Sequence, residues 1–182
     1  MKAYEGLDTT APAELLARAR SGEREAFTQL VEQHHTELVR IAYAITGDLD
    51  AARDSAQLAW IKAWQRLPSV REPGRLRAWL IAIAANEARQ HLRAHRRRRV
   101  REIAPPPEDD LPGHNTITSA DRLDLGAALV RLDPADRGLL AMRYLAGLSA
   151  DEIGVATGLT ASGVRSRLSR LIARLREDLD HD

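Results

Sequence analysis

The chain of 182 residues contains no cysteine. That removes disulfide staples, thiolate nucleophiles and cysteine-ligated zinc together, and it is compatible with a reducing compartment without requiring one. Aromatic residues make up only 4% of a sequence that is 44% hydrophobic, so the core has to be built from Leu, Ala, Ile and Val. The longest uninterrupted apolar run, Ala78 to Ala85, is far too short to span a bilayer. The opening stretch MKAYEGLDTT lacks the apolar segment of a secretory signal. The expectation is a soluble cytoplasmic protein with no membrane span. Nowhere do a nucleophile, a base and an orienting group occur together, and no glycine loop of the phosphate-cradling kind is present. An enzyme is therefore disfavoured, and no cofactor or metal is implied.

What the chain has in abundance is charge, unevenly placed. Its formal net charge is +1. Between Arg71 and Arg101, however, ten arginines (71, 75, 77, 89, 93, 96, 97, 98, 99 and 101) stand against Glu72 and Glu87, a local net of +8. From Glu102 to Asp136, eight acids stand against two arginines, a local net of −6. Arg165, Arg167, Arg170, Arg174 and Arg176 then restore positive charge. Two basic elements separated by an acidic spacer point to two contacts with a polyanion that repels the segment between them.

The stretch from Leu148 to Leu179 concentrates the signal. A short amphipathic helix carries Ile153 and the small Gly154, which permits close approach by a second helix, and it stops at Gly158. Thr160 is placed to cap the next helix, in which Val164, Leu168, Leu171, Leu175 and Leu179 recur at spacings of three and four and face a core. Ser162, Arg165, Ser166, Ser169 and Arg170 share the opposite stripe, a set suited to phosphates and base edges in a major groove. Helix, glycine-bearing turn and helix make a helix-turn-helix. On these residues alone, an ordinary helical hairpin with a solvated charged face remains the alternative.

In chain order, residues 1–12 carry no periodic signal. A short helix is expected from Glu14 to Arg20, ending at Ser21-Gly22, and a longer one from Glu23 to Thr46 with Phe27, Leu30, Val31, Leu38, Ile41, Ala42 and Ile45 on one face. The adjacent His34 and His35 point in different directions and make a poor chelate. Asp48 or Asp50 caps a third helix running to Leu67, with Ala52, Ala56, Ala59, Trp60, Ala63, Trp64 and Leu67 inward. Asp54, Gln57 and Leu58 lie off that stripe, and Leu58 there is either an isolated surface residue or part of a partner interface. After the loop SVREPGR, a fourth helix places Leu76, Trp79, Leu80, Ile83, Ala84 and Leu92 inward and ends in RAHRRRRVR, a solvated helix end or a phosphate-tracking surface. His91 and His95 have a spacing that can bind a metal. No carboxylate or cysteine is suitably placed beside them, and their neighbours are arginines. Glu102 to Thr118, with three consecutive prolines, reads as an extended linker in which Asp109 and Asp110 are solvated spacer acids. A helix from Asp121 to Leu132 follows, and Asp133-Pro134 then starts another that runs to about Leu145 and ends at Gly147.

The fold class expected is all-α: two small helical domains joined by a flexible linker, the C-terminal one a helix-turn-helix. The boundaries are 1–22 for a leader and short helix, 23–101 for the first domain, 102–118 for the linker and 119–182 for the second domain.

Three segments carry a family resemblance: ARDSAQLAWIKAW (Ala52 to Trp64), RLRAWLIAIAANEARQHLR (Arg75 to Arg93) and the long run from Asp133 to Glu177. In their order, on both sides of a variable linker, they resemble the extracytoplasmic-function (ECF) sigma factors of bacterial RNA polymerase. The resemblance implies that the first domain is sigma domain 2, which binds core RNA polymerase through the helix holding Asp54, Gln57 and Leu58. It implies that the same domain reads the melted minus-ten element of promoter DNA with Arg75, Arg77, Asn86, Arg89 and Arg93. The second is then sigma domain 4, whose Ser162, Arg165, Ser166, Ser169 and Arg170 read the duplex minus-thirty-five element. An inhibitory anti-sigma factor often holds such proteins. The sequence departs from the family in two places: Leu58 stands where an acid is common after the Gln, and Ser55-Ala56 replaces the usual apolar pair. The end at Asp182 leaves no room for the extra C-terminal regulatory domain of some members. The competing class is an autonomous helix-turn-helix repressor or activator, which would need a dimer interface or ligand pocket in the first domain.

Overall fold

The computed structural model describes residues 12–101, 128, 129 and 131–180. Every element among them is helical. The leader before Pro12, the linker at 102–118 and most of the helix expected from Asp121 lie outside the described residues.

Helix α1 (Pro12–Arg20) leans on α2 (Arg24–Thr46), and α2, α3 (Leu49–Arg66) and α4 (Leu76–Arg101) pack on one another in all three pairings. Local chemistry sets the ends. Gly47 takes φ 74° and returns its N–H to the Tyr43 carbonyl, closing α2 as expected of a residue without a Cβ. Of the two candidate caps for α3, Asp48 acts, accepting from the Ala51 N–H at 2.6 Å, while Asp50 faces Arg53 in solvent. On α3, Ala51, Ala52, Ser55, Ala56, Ala59 and Ala63 are all buried. Their small side chains bring the neighbouring helices close, with Leu38, Ile41, Ile45, Leu80 and Ile81 filling the space between. The Ser55 hydroxyl is buried at no polar cost because it donates to the Ala51 carbonyl at 2.6 Å.

One expectation needs correction. Trp64, assigned to the core, is 38% exposed and meets Phe27 edge-on at 4.8 Å between ring centroids. With Trp60 already against Phe27 at 5.6 Å, α3 buries one large ring and leaves the other at the rim. His35 lies at the surface, where its Nδ1 accepts from Trp60 Nε1 at 3.3 Å.

In the C-terminal half, Asp133 caps α5 (Pro134–Leu140) by accepting from the Ala135 N–H at 2.8 Å. The helix predicted to reach Leu145 stays regular only to Leu140 and widens into a π turn over Ala141–Leu145. That turn closes with Ala146 N–H to Ala141 and Leu148 N–H to Met142, made possible by Gly147 at φ 66°. The first helix of the helix-turn-helix, α6 (Ala150–Thr157), opens with a capping box: Glu152 accepts from the Ser149 N–H at 2.8 Å, and Ser149 Oγ accepts from the Glu152 N–H at 3.2 Å. Thr160 then caps α7 (Ala161–Asp180), accepting from the Gly163 N–H at 3.1 Å.

The two halves are not held apart. Residues of both enter one continuous apolar core, with Gly138 of α5 seated against Ile45 of α2 and α6 lying along α4.

A Cβ at Gly154 would lie 2.8 Å from the Leu159 carbonyl oxygen, so the turn between α6 and α7 closes directly over this residue. Gly154→Ala is expected to destabilise the C-terminal helices by about 1–3 kcal/mol through overpacking, seen as earlier thermal unfolding by circular dichroism. The Ser149 backbone N–H, then its hydroxyl, holds the Glu152 carboxyl below its ordinary pKa. A carboxyl depressed in the folded state contributes stability above its unfolded pKa and loses it as pH falls through the folded one. Melting in mild acid should therefore drop more steeply for the native chain than for Glu152→Gln.

Candidate nucleic-acid interface

The recognition stripe is formed on α7 by helical phase. Val164, Leu168, Leu171 and Leu175 are buried, which turns Ser162, Arg165, Ser166, Ser169 and Arg170 together toward solvent, all exposed. Arg170 keeps one weak contact, from its Nε to the Ser166 carbonyl at 3.4 Å, and its guanidinium is otherwise available for a base edge. Arg167, between the stripe and the core, is committed to structure: its Nε donates to Asp136 at 2.6 Å and ties α7 to α5.

In the first half, Asn86 and Arg93 are exposed on α4, and Arg89 is half-buried one turn beyond Asn86, whose side-chain oxygen accepts from it. Arg75 pairs with Glu72 in the loop at 2.7 Å. The fifth predicted residue, Arg77, is engaged elsewhere. Its guanidinium grips Glu37 of α2, with Nε at 3.0 Å from the carboxylate, and Nη2 donates to the Ala146 carbonyl of the other half at 2.6 Å.

A shallow groove runs between the halves, walled by Arg89, Leu92, Arg93 and Arg96 on one side and Asp133, Pro134 and Ala135 on the other. Burial first, then the proximity of Arg93 and Arg167, pushes the Arg89 guanidinium below its ordinary pKa. Arg137 is pushed the same way by burial and Arg96, and its buried Nε has no hydrogen-bond partner among the described residues. Crowded guanidinium groups with too few counter-charges are stabilised by a polyanion.

The third surface is on α3. Asp54, Gln57 and Leu58 are exposed together, and Ile61, 50% exposed, extends the same face by one turn. Ile61 went unremarked in the sequence although its spacing of three from Leu58 was readable; paired exposed apolar residues among polar ones mark a partner surface better than Leu58 alone. Tyr144, Leu145 and Val155 are exposed on the C-terminal half.

Against known families, residues 30–98 match the model of Sigma-70 region 2 and residues 128–177 match that of Sigma-70, region 4. The sigma factor CnrH of Cupriavidus metallidurans is 31% identical over 92% of this chain and 94% of its own. The chain belongs to the ECF RNA polymerase sigma factors. ECF sigma factor SigL of Mycobacterium tuberculosis is 30% identical over 87% of this chain and 91% of its own. Three further relatives are longer, and this sigma factor spans 43%, 62% and 68% of their lengths.

Solved structures resemble it over nearly the whole chain. CnrH in complex with the cytosolic domain of CnrY aligns with a TM-score of 0.69 at 28% identity, covering 95% of this sigma factor and 99% of CnrH. The sigma factor RpoE of Bartonella quintana, in complex with the anti-sigma factor NepR, aligns with a TM-score of 0.71 at 26% identity, covering 86% and 98%. No helix among the described residues is long and apolar enough to cross a membrane.

Arg77 makes a polar link across the halves of this sigma factor, so Arg77→Ala is expected to loosen their docking. Small-angle scattering should report a larger radius of gyration with helix content unchanged, whereas an unaltered radius would assign the docking to the apolar contacts alone.

Proposed function

We propose that this sigma factor binds core RNA polymerase and directs it to particular promoters, acting in the cytoplasm. In this reading its domain 2 spans 23–101 and its domain 4 spans 119–182. Asp54, Gln57 and Leu58 of α3 meet the polymerase. Arg75, Arg77, Asn86, Arg89 and Arg93 meet the melted minus-ten element. Ser162, Arg165, Ser166, Ser169 and Arg170 meet the minus-thirty-five duplex. What carries the reading is that the residues facing solvent on α3, α4 and α7 fall into separate stripes of the right chemistry, on a chain matching both sigma regions in order. Serine and arginine on α7 suit major-groove readout, and the basic face of α4 suits an unpaired strand.

The packed arrangement of the two domains adds a constraint. The minus-ten and minus-thirty-five elements lie about 25 base pairs apart, about 85 Å of duplex at about 3.4 Å per step. A compact body of this chain length has a radius of gyration of about 16 Å and a diameter near 40 Å. It cannot reach both elements while the domains stay packed together. Promoter engagement therefore requires the domains to separate. Two sigma factors of similar structure were solved in complex with the cytosolic domain of CnrY and with the anti-sigma factor NepR, and an anti-sigma partner that holds the domains together would silence this factor by the same geometry.

Run-off transcription with core enzyme tests the function: a defined start site should appear only when the protein is added. A tight dimer on duplex DNA with no effect on core enzyme would instead indicate an autonomous repressor. Arg165→Ala and Arg170→Ala should each weaken promoter use by about 1–3 kcal/mol, if each reads a base, with core affinity unchanged. Reversing the charge at Asp54 should do the opposite, weakening the complex with core enzyme, as measured by fluorescence anisotropy.

A further inference from the structure

One partly buried ion pair has no part in the contacts above. Glu87 of α4 is only 5% exposed, and both its carboxylate oxygens accept from Lys62 Nζ of α3, at 2.6 and 2.7 Å. Burying a carboxylate and an ammonium costs desolvation that their attraction roughly offsets, so such a pair adds little net stability. What it fixes is position.

Its position is at the back of two stripes. On α4, Glu87 follows Asn86 directly and precedes Arg89 by two residues, so it anchors the inner side of the turn whose outer side carries the proposed minus-ten contacts. On α3, Lys62 follows the exposed Ile61 and lies four residues after Leu58, at the border of the proposed polymerase face, with its side chain 35% exposed. A partner seated over Leu58 and Ile61 would strip the remaining water from Lys62. The attraction between two fixed charges rises as the surrounding dielectric falls, so docking would tighten the pair and hold α4 more rigidly against α3.

We propose that Lys62 and Glu87 form a positioning pair that couples polymerase docking on α3 to the orientation of Asn86 and Arg89 on α4, strengthening minus-ten recognition in the holoenzyme. This rests on the assignment of those two faces under the proposed function. It predicts that the pair matters more to promoter opening than to folding or to core affinity.

A double-mutant cycle on the holoenzyme with the shape-conserving Lys62→Met and Glu87→Gln tests it. Three quantities are measured: thermal unfolding of the free factor, affinity for core enzyme, and promoter opening by permanganate reactivity at saturating core. Each single variant should lower opening by about fivefold or more, and the double should be no worse than the poorer single, because coupled residues are non-additive. Core affinity, linked to the pair by reciprocity, should fall by less than opening does, and binding to a minus-thirty-five duplex should stay within about twofold. Additive losses in opening, or losses that merely follow thermal stability or core affinity, would overturn the proposal. Asp54→Arg and Asn86→Ala serve as controls for the assignment of the faces. If the first leaves core affinity unchanged, or the second leaves opening unchanged, it is that assignment that fails and not the pair.

Discussion

The structure depends on helices coming close together with almost no aromatic filler. The alanines of α3 make that possible in the first domain: with Ala51, Ala52, Ala56, Ala59 and Ala63 buried, α2 and α4 approach on either side of a thin helix. Gly154 plays the equivalent part in the second domain, where the Leu159 carbonyl occupies the space a side chain would need. Close approach strengthens dispersion contacts per atom, which compensates for the small size of each buried group. It also has a functional side. A helix that buries mostly small residues keeps most of its long ones for the surface, and on α3 Gln57, Leu58 and Ile61 are among them.

The same economy governs the basic residues. Arginines that hold the fold together are paired: Arg18 with Glu23, Arg167 with Asp136, Arg77 with Glu37. Those on the open stripes, Arg93, Arg165 and Arg170, are in no ion pair among the described residues. Charges left without protein partners on one face are those free to bind a polyanion, and the salt dependence of such binding follows from counterion release. Arg77, paired with Glu37, also donates to the Ala146 carbonyl and so ties the two halves together.

Much of this architecture was legible in the chain. Periodicity placed α2, α3 and α4 to within a few residues, and turn chemistry at Gly47, Asp48, Asp133, Gly158 and Thr160 marked ends that the backbone adopts. The capping box of Ser149 and Glu152 is also readable from its spacing of three. Trp64 was misplaced because periodicity assigns a residue to a face of the helix and not to a depth: α3 had room for one large ring beside Phe27, and Trp60 took it. The π turn at Ala141–Leu145 left no mark in the sequence, since it arises from fitting α5 to what surrounds it and not from a residue preference.

By itself, the sequence determined which residues form helices, where those helices begin and end, and which stripe of each is polar, because these follow from interactions within a few residues of one another. Only the tertiary structure decided that the two domains dock, that Arg77 bridges them and that Lys62 meets Glu87. Those partners lie 69 and 25 residues apart. Contacts at such separations depend on how whole helices are oriented in space, and no local pattern in the chain encodes that.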